Sequence, residues 1–117
     1  MNNKELTLFA ANVLDEKKAS DISILDISER SGFADYFIIA TATNLRLLGA
    51  LCDELDDRLT KEGVSAHHIE GRGDSGWILM DYGDLIVNLF TVEQRAHYNI
   101  DKVWGDCPRL EFEASEA

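Results

Sequence analysis

Residues 70–90, EGRGDSGWILMDYGDLIVNLF, decide the fold. They read as two strands, 77–80 and 85–90, joined by a turn of Asp81, Tyr82, Gly83 and Asp84. Both runs are apolar at nearly every position, so both faces of this hairpin need cover. Gly83 supplies the positive φ that a tight hairpin turn requires. Trp77 stands at the entrance of the hairpin and Tyr82 at its tip. No catalytic grouping falls in the stretch. It reads as a surface for a protein partner rather than as a site for a reaction, and which of its faces is exposed stays open.

Immediately upstream, 66–70 reads as a short strand carrying His67 and His68. Neighbours on a strand point to opposite faces, so these two cannot chelate one metal. Residues 71–76, GRGDSG, form a glycine-rich connection. Its RGD triplet carries little weight, because an integrin ligand belongs outside the cell. The phosphate-loop pattern needs a Lys-Ser/Thr ending and a following helix, and a strand follows here instead.

Further upstream, Asn44 can cap a long helix over 45–62 that Gly63 ends. Leu48, Cys52, Leu55 and Leu59 make one stripe, widened by Leu45 and Leu51. Asp53, Glu54, Asp56 and Asp57 fall mainly on other faces and read as a solvated acidic surface, since no second ligand cluster accompanies them. Residues 36–41, YFIIAT, suit a strand buried on both faces. Residues 21–28, DISILDIS, read as a strand and 29–35 as a turn around Ser31–Gly32. A first helix over 3–18 lines up Leu6, Phe9, Ala10, Val13 and Leu14, with Asn2 or Asn3 as cap and Lys17–Lys18 at its negative end.

Downstream, Thr91 caps a helix over 92–98, with Gln94 as the capping-box partner. Val103 and Trp104 dock the stretch 99–105 on the core. Residues 106–117 are acidic, contain the only Pro and read as a mobile tail after a domain of residues 1–105. The order is helix, strand, strand, helix, strand, strand, strand, helix. This is an α/β arrangement: one mixed sheet of about five strands covered by helices. The strand pairs flanking the long helix are expected to be parallel through a crossover.

The 117 residues are one ordinary domain's worth and can bury a core without staples. Twenty-two acids against eleven bases give a formal charge of −11, and Lys17–Lys18 is the only adjacent basic pair. Nucleic-acid binding needs clustered bases, so a direct nucleic-acid partner is not expected. A basic protein partner fits the charge better, set against acidity that serves solubility alone. Cys52 and Cys107 have no metal-like spacing and read as free thiols in a reducing compartment. No secretory start and no membrane span are recognised, so the expected location is cytoplasmic.

Taken together, SDISILD at 20–26, ADYFIIAT at 34–41, Glu70–Gly71, Trp77–Ile78–Leu79, the turn from Asp81 to Asp84, Val87, Phe90, Arg95, Tyr98 and Trp104–Gly105 resemble the ribosomal silencing factor family, also called Iojap-like. The W-hydrophobic-D-x-G-D hairpin followed by R-x-x-Y and a terminal L-W is specific in combination. Three places depart from the family pattern: Thr41–Ala42–Thr43–Asn44 replaces T-G-T-S, Asn88 replaces a usual His, and Ala96–His97 replaces an acidic-aromatic pair. A role that needs a titratable imidazole at position 88 is therefore put in doubt.

The resemblance implies a non-enzymatic translational repressor with no cofactor and no metal. Such family members bind the large ribosomal subunit on its ribosomal protein number fourteen and sterically block joining of the small subunit. They are often homodimers when free, and their fold is related to that of nucleotidyltransferases. The expected partner-binding residues are Trp77 as anchor, with Leu79, Asp81, Tyr82 and Asp84 around it. For Trp77, Leu79 and Gly83 a plain packing or turn role is the competing reading.

Two rivals remain in view. A nucleotidyltransferase places paired acids on one strand face to hold Mg²⁺ after a Gly-Ser loop. Here Asp81 and Asp84 straddle a turn, Ser31–Gly32 is in reversed order, and no D-x-D follows. A generic acidic interaction module is opposed only by the resemblance. Nucleophilic hydrolysis fails for want of G-x-S-x-G.

Overall fold

The computed structural model describes residues 1–71 and 74–112. Arg72 and Gly73 of the RGD triplet, and the tail from 113 onward, lie outside the described residues.

The first helix, α1 (Asn3–Glu16), is capped by Asn2, whose side chain accepts from Glu5 N while the Glu5 carboxylate accepts from Asn2 N. This reciprocal pair satisfies two otherwise orphaned donors. Two antiparallel strands follow, β1 (Ser20–Asp26) and β2 (Tyr36–Ala42). Helix α2 (Leu45–Lys61) opens on Asn44, which accepts from Leu47 N at 2.8 Å, and stops before Gly63 at φ +82. Strands β3 (His68–Glu70), β4 (Trp77–Asp81) and β5 (Leu85–Thr91) form an antiparallel meander. The short helices α3 (Val92–Tyr98) and α4 (Ile100–Val103) lead to a two-residue strand, β6 (Arg109–Leu110).

The sheet is mixed and six-stranded, in the order β3-β4-β5-β2-β1-β6. Its parallel pair is β2 with β5, register Tyr36 to Leu85 through Ala42 to Thr91. The crossover that makes this pair includes α2, β3 and β4. The strands directly flanking α2, β2 and β3, are therefore not neighbours. The sixth strand pairs antiparallel with β1, joining Ile24 to Leu110 and Leu25 to Arg109. The stretch read as a mobile tail is thus tied to the sheet near its start.

Alternation along the central strands splits their side chains between two layers. Ile38, Ala40, Met80, Leu85, Val87 and Leu89 join the stripe of α2 and the apolar face of α1. Leu48, Leu51, Cys52, Leu55 and Leu59 of that stripe are fully buried, whereas Leu45 is 44% exposed on the first turn. Phe37, Ile39, Ile86 and Phe90 point the other way, toward Ile100 and Trp104. Both faces of β5 are covered, which explains its unbroken apolar run. Trp104 docks by packing on Phe37 with ring centroids 5.2 Å apart, while Val103 is 60% exposed.

A half-buried Arg95 fastens α3 and α4 to the sheet. Its guanidinium donates to both carboxylate oxygens of Asp101 at 3.0 and 2.7 Å, to Thr41 Oγ1 at 2.8 Å and to the Asp21 carbonyl. Asp21 lies at φ +48, where β1 shifts register between Ser20 and Ser23. The bulge turns its carbonyl toward Arg95 instead of toward a neighbouring strand.

Candidate functional site

Trp77 begins β4 directly opposite Phe90 in the register. Its indole stacks on the Phe90 ring, centroids 5.1 Å apart at 22°, and meets Tyr98 of α3 at 4.6 Å and 50°. The indole Nε1–H donates to Asn88 Oδ1 at 3.1 Å. Trp77 and Leu79 are only half-buried, and Tyr98 is 47% exposed. Together with Glu70, Gly71 and Ser75 they line an open groove of about 220 Å³. Offset and tilted aromatic contacts of this kind hold rings in place while leaving an apolar face available.

The groove wall depends on Gly71, which lies at φ +91. A Cβ there would sit 1.9 Å from the Trp77 carbonyl oxygen, so only glycine allows this approach. Ser75 Oγ closes the same loop, 2.9 Å from the Gly71 carbonyl and 3.1 Å from that of Trp77.

The hairpin tip is built differently. Gly83 takes φ +89, its N–H donates to Asp81 Oδ1 at 2.8 Å, and Tyr82 N donates to the Leu85 carbonyl. Tyr82 is 6% exposed, and its hydroxyl donates to Asp56 of α2 at 3.0 Å. Its ring belongs to the core under α1 and α2, on the opposite side of the sheet from Trp77. Asp84 is exposed, and its carbonyl accepts from Asp35 N and Tyr36 N. Asp81 is half-buried, and its carbonyl accepts from His67 N. Of the five residues expected to meet a partner, the structure therefore brings Trp77 and Leu79 to one groove, places Asp81 and Asp84 at the hairpin tip, and turns Tyr82 inward.

Tyr98 and Asn88 are the additions. Tyr98 belongs to the R-x-x-Y match, but nothing in that spacing says that α3 folds back over Trp77. Asn88 is visible in sequence as a polar break in an apolar strand. Its partner becomes evident only once Trp77 and Phe90 are in register.

A second cleft, of about 390 Å³, shares Ser75 with the groove and opens between the starts of α2 and α3, with Asn44, Leu45, Thr91 and Val92 among its lining. Among the described residues no group of three or more His, Cys, Asp or Glu is placed to hold a metal, and no helix is long and apolar enough to cross a membrane. Cys52 and Cys107 are buried and form no disulfide. Displaced acidities are structural. Asp101 is held below the ordinary carboxylate range by the Arg95 hydrogen bonds, and Asp26 by the hydroxyl and N–H of Ser28. Burial pushes the Tyr36 phenol up, helped by Asp26 and Asp35.

Known proteins resemble this chain along its length. The family model described as "Ribosomal silencing factor during starvation" matches residues 1–117. A protein named ribosomal silencing factor from Halalkalibacterium halodurans is 35% identical over 113 residues, 97% of this chain and 97% of its own. One of the same name from Bacillus subtilis is 34% identical over 113 residues, 97% of this chain and 96% of its own. A crystal structure of a Chromobacterium violaceum protein superposes with a TM-score of 0.87 at 29% identity, covering 99% of this chain and 98% of that one.

Proposed function

The chain belongs to the ribosomal silencing factor family, and we propose from this that it represses translation by occupying the large ribosomal subunit. It docks on ribosomal protein number fourteen of that subunit and sterically blocks joining of the small one. The role is regulatory rather than catalytic, exercised in the cytoplasm, and a homodimer is the form of the free protein. The observation that carries the proposal is the groove itself: the half-buried Trp77 backed by Phe90, with Leu79 and the exposed Tyr98 beside it.

Large aromatic side chains held rigidly at the centre of a patch are the usual anchors of protein recognition. Glu70 in the groove wall and Asp81 and Asp84 at the hairpin tip supply negative charge, in keeping with the formal charge of −11. A ribosomal protein beside RNA is basic, so complementary fields speed its encounter with this chain and reject wrong partners. Tyr82 contributes from beneath by holding the tip against Asp56. Blocking by bulk needs affinity and position, and no titrating group.

Subunit joining on sucrose gradients tests the proposal. Purified protein added to separated subunits lowers the yield of joined ribosomes, and raising salt slows its association because opposite charges are screened. Unchanged joining at a several-fold molar excess overturns it.

A further inference from the structure

We propose that Asn88 is a positioning residue for partner recognition, holding the Trp77 indole in the single orientation that presents it to the groove. This rests on the reading of Trp77 as the anchor.

Asn88 sits mid-strand in β5 and is fully buried. On its own face it lies between Ile86 and Phe90, and its partners in register are Ile39 of β2 and Leu79 of β4. Asparagine is a poor strand former, and these surroundings are apolar. Its oxygen accepts from the indole N–H, while Nδ2 has no partner among the described residues. The orientation of the amide is not arbitrary. An indole nitrogen only donates, so the oxygen must face it and the amino group must take the other side. A buried donor left unmet is destabilising, and an aliphatic side chain of similar size would remove the problem. By the standard of sheet stability alone, residue 88 would be better as leucine.

What Asn88 supplies instead is direction. Stacking on Phe90 constrains the plane of the indole but tolerates its rotation to bring either edge forward. The tilted contact with Tyr98 constrains one side of the ring. Packing reads the unequal shapes of the two edges, and the hydrogen bond to Nε1 adds a directional preference for one of them. Asn88 therefore selects one of the two ring orientations, and with it the shape of the groove wall that Trp77 forms. The arrangement exchanges some stability for a preorganised anchor, so that less freedom is lost when a partner binds.

The experiment compares Asn88→Leu, Asn88→His and Trp77→Ala in the full chain. It measures thermal unfolding, binding to purified large subunits, and the Trp77 indole N–H resonance in a proton–nitrogen correlation spectrum. Asn88→Leu is expected to unfold at the same or a higher temperature and to shift the indole resonance. Its binding weakens by about fivefold to tenfold, the size expected of one orienting hydrogen bond. Asn88→His restores an acceptor nitrogen and recovers most of the affinity. If Asn88→Leu binds as the unaltered chain does while Trp77→Ala does not bind, the positioning role is overturned and the anchor stands. If Trp77→Ala binds normally, the anchor reading fails and takes this inference with it. A lowered unfolding temperature for Asn88→Leu with unchanged affinity per folded molecule makes Asn88 a packing residue and overturns the proposal.

Discussion

The face of the sheet beneath α1 and α2 and the face beneath α3 and α4 are made by alternate residues of the same strands, yet they are built to different specifications. On the first, Ile38, Met80, Val87 and Leu89 meet Leu48, Leu55 and Leu59, and every one of these is fully buried. On the second, two clusters of rings join aliphatics such as Ile39 and Ile86: Trp77 with Phe90 and Tyr98, and Phe37 with Trp104. Its cover is two short helices, and the β4 end of this face opens to solvent at the groove. Aliphatic packing fills space and stabilises the fold. Aromatic packing at a half-covered edge offers large, rigid apolar surface with few rotatable bonds to freeze. One sheet thus sets a closed aliphatic core and a half-open aromatic surface on opposite faces by the parity of its residues.

That separation can be broken experimentally. The largest effect expected is on the aliphatic side: Leu55→Ala should cost about 2–5 kcal/mol of folding stability. Denaturant unfolding measures it, and affinity for the large subunit per folded molecule should not change. Next comes Trp77→Ala, which should weaken large-subunit binding by about 2–4 kcal/mol. Its loss of stability should be smaller, because Trp77 is only half-buried. Equal losses of stability and affinity in both variants would erase the distinction between the faces.

Asp101→Asn sharpens the comparison by loosening the cover alone, at an expected cost of about 1–2 kcal/mol near neutral pH. The pH dependence has a definite sign. Arg95 depresses the folded-state pKa of Asp101, so the unfolded chain takes up its proton first as pH falls. The contribution is complete above the ordinary aspartate range and disappears as pH drops through the lowered folded value. Asp101→Asn should therefore show a shallower acid limb in unfolding free energy against pH. The smallest effect is reserved for Tyr82→Phe, which removes the hydroxyl from Asp56 and should cost about 1 kcal/mol of stability. Binding should fall only slightly, since the ring faces the core and reaches the partner only by steadying the tip.

The sequence made the fold legible wherever a residue's role follows from its neighbours in the chain. The caps at Asn44 and Thr91, the α2 stripe and the hairpin around Gly83 are all local. Leu45 departs from its expected place because helical spacing says which side a residue lies on, not how far the sheet reaches along the helix. Two residues are too few to show a period, so β6 is recognisable only by its pairing with Ile24 and Leu25. Tyr82 looked like a surface residue because it sits in a polar turn. Its ring packs in the core, and its hydroxyl is met by Asp56, which lies on an element far upstream. The groove was half legible. Trp77 and Leu79 stand out as excess apolar surface, but Tyr98 reaches them only because α3 doubles back, held by Arg95.

The parallel pairing of β2 with β5 also has a consequence in time. Strand β5 pairs with both β2 and β4, so it joins the two halves of the sheet. It also comes late in the chain, after a long crossover whose ends must find each other before any pairing energy is released. A nascent chain released before Leu85 would have α1 and α2 over β1 and β2 without Val87 and Leu89 to complete the core, and Trp77 with no Phe90 behind it. The complete core and the aromatic groove therefore form together, when β5 arrives. A partially made copy has neither.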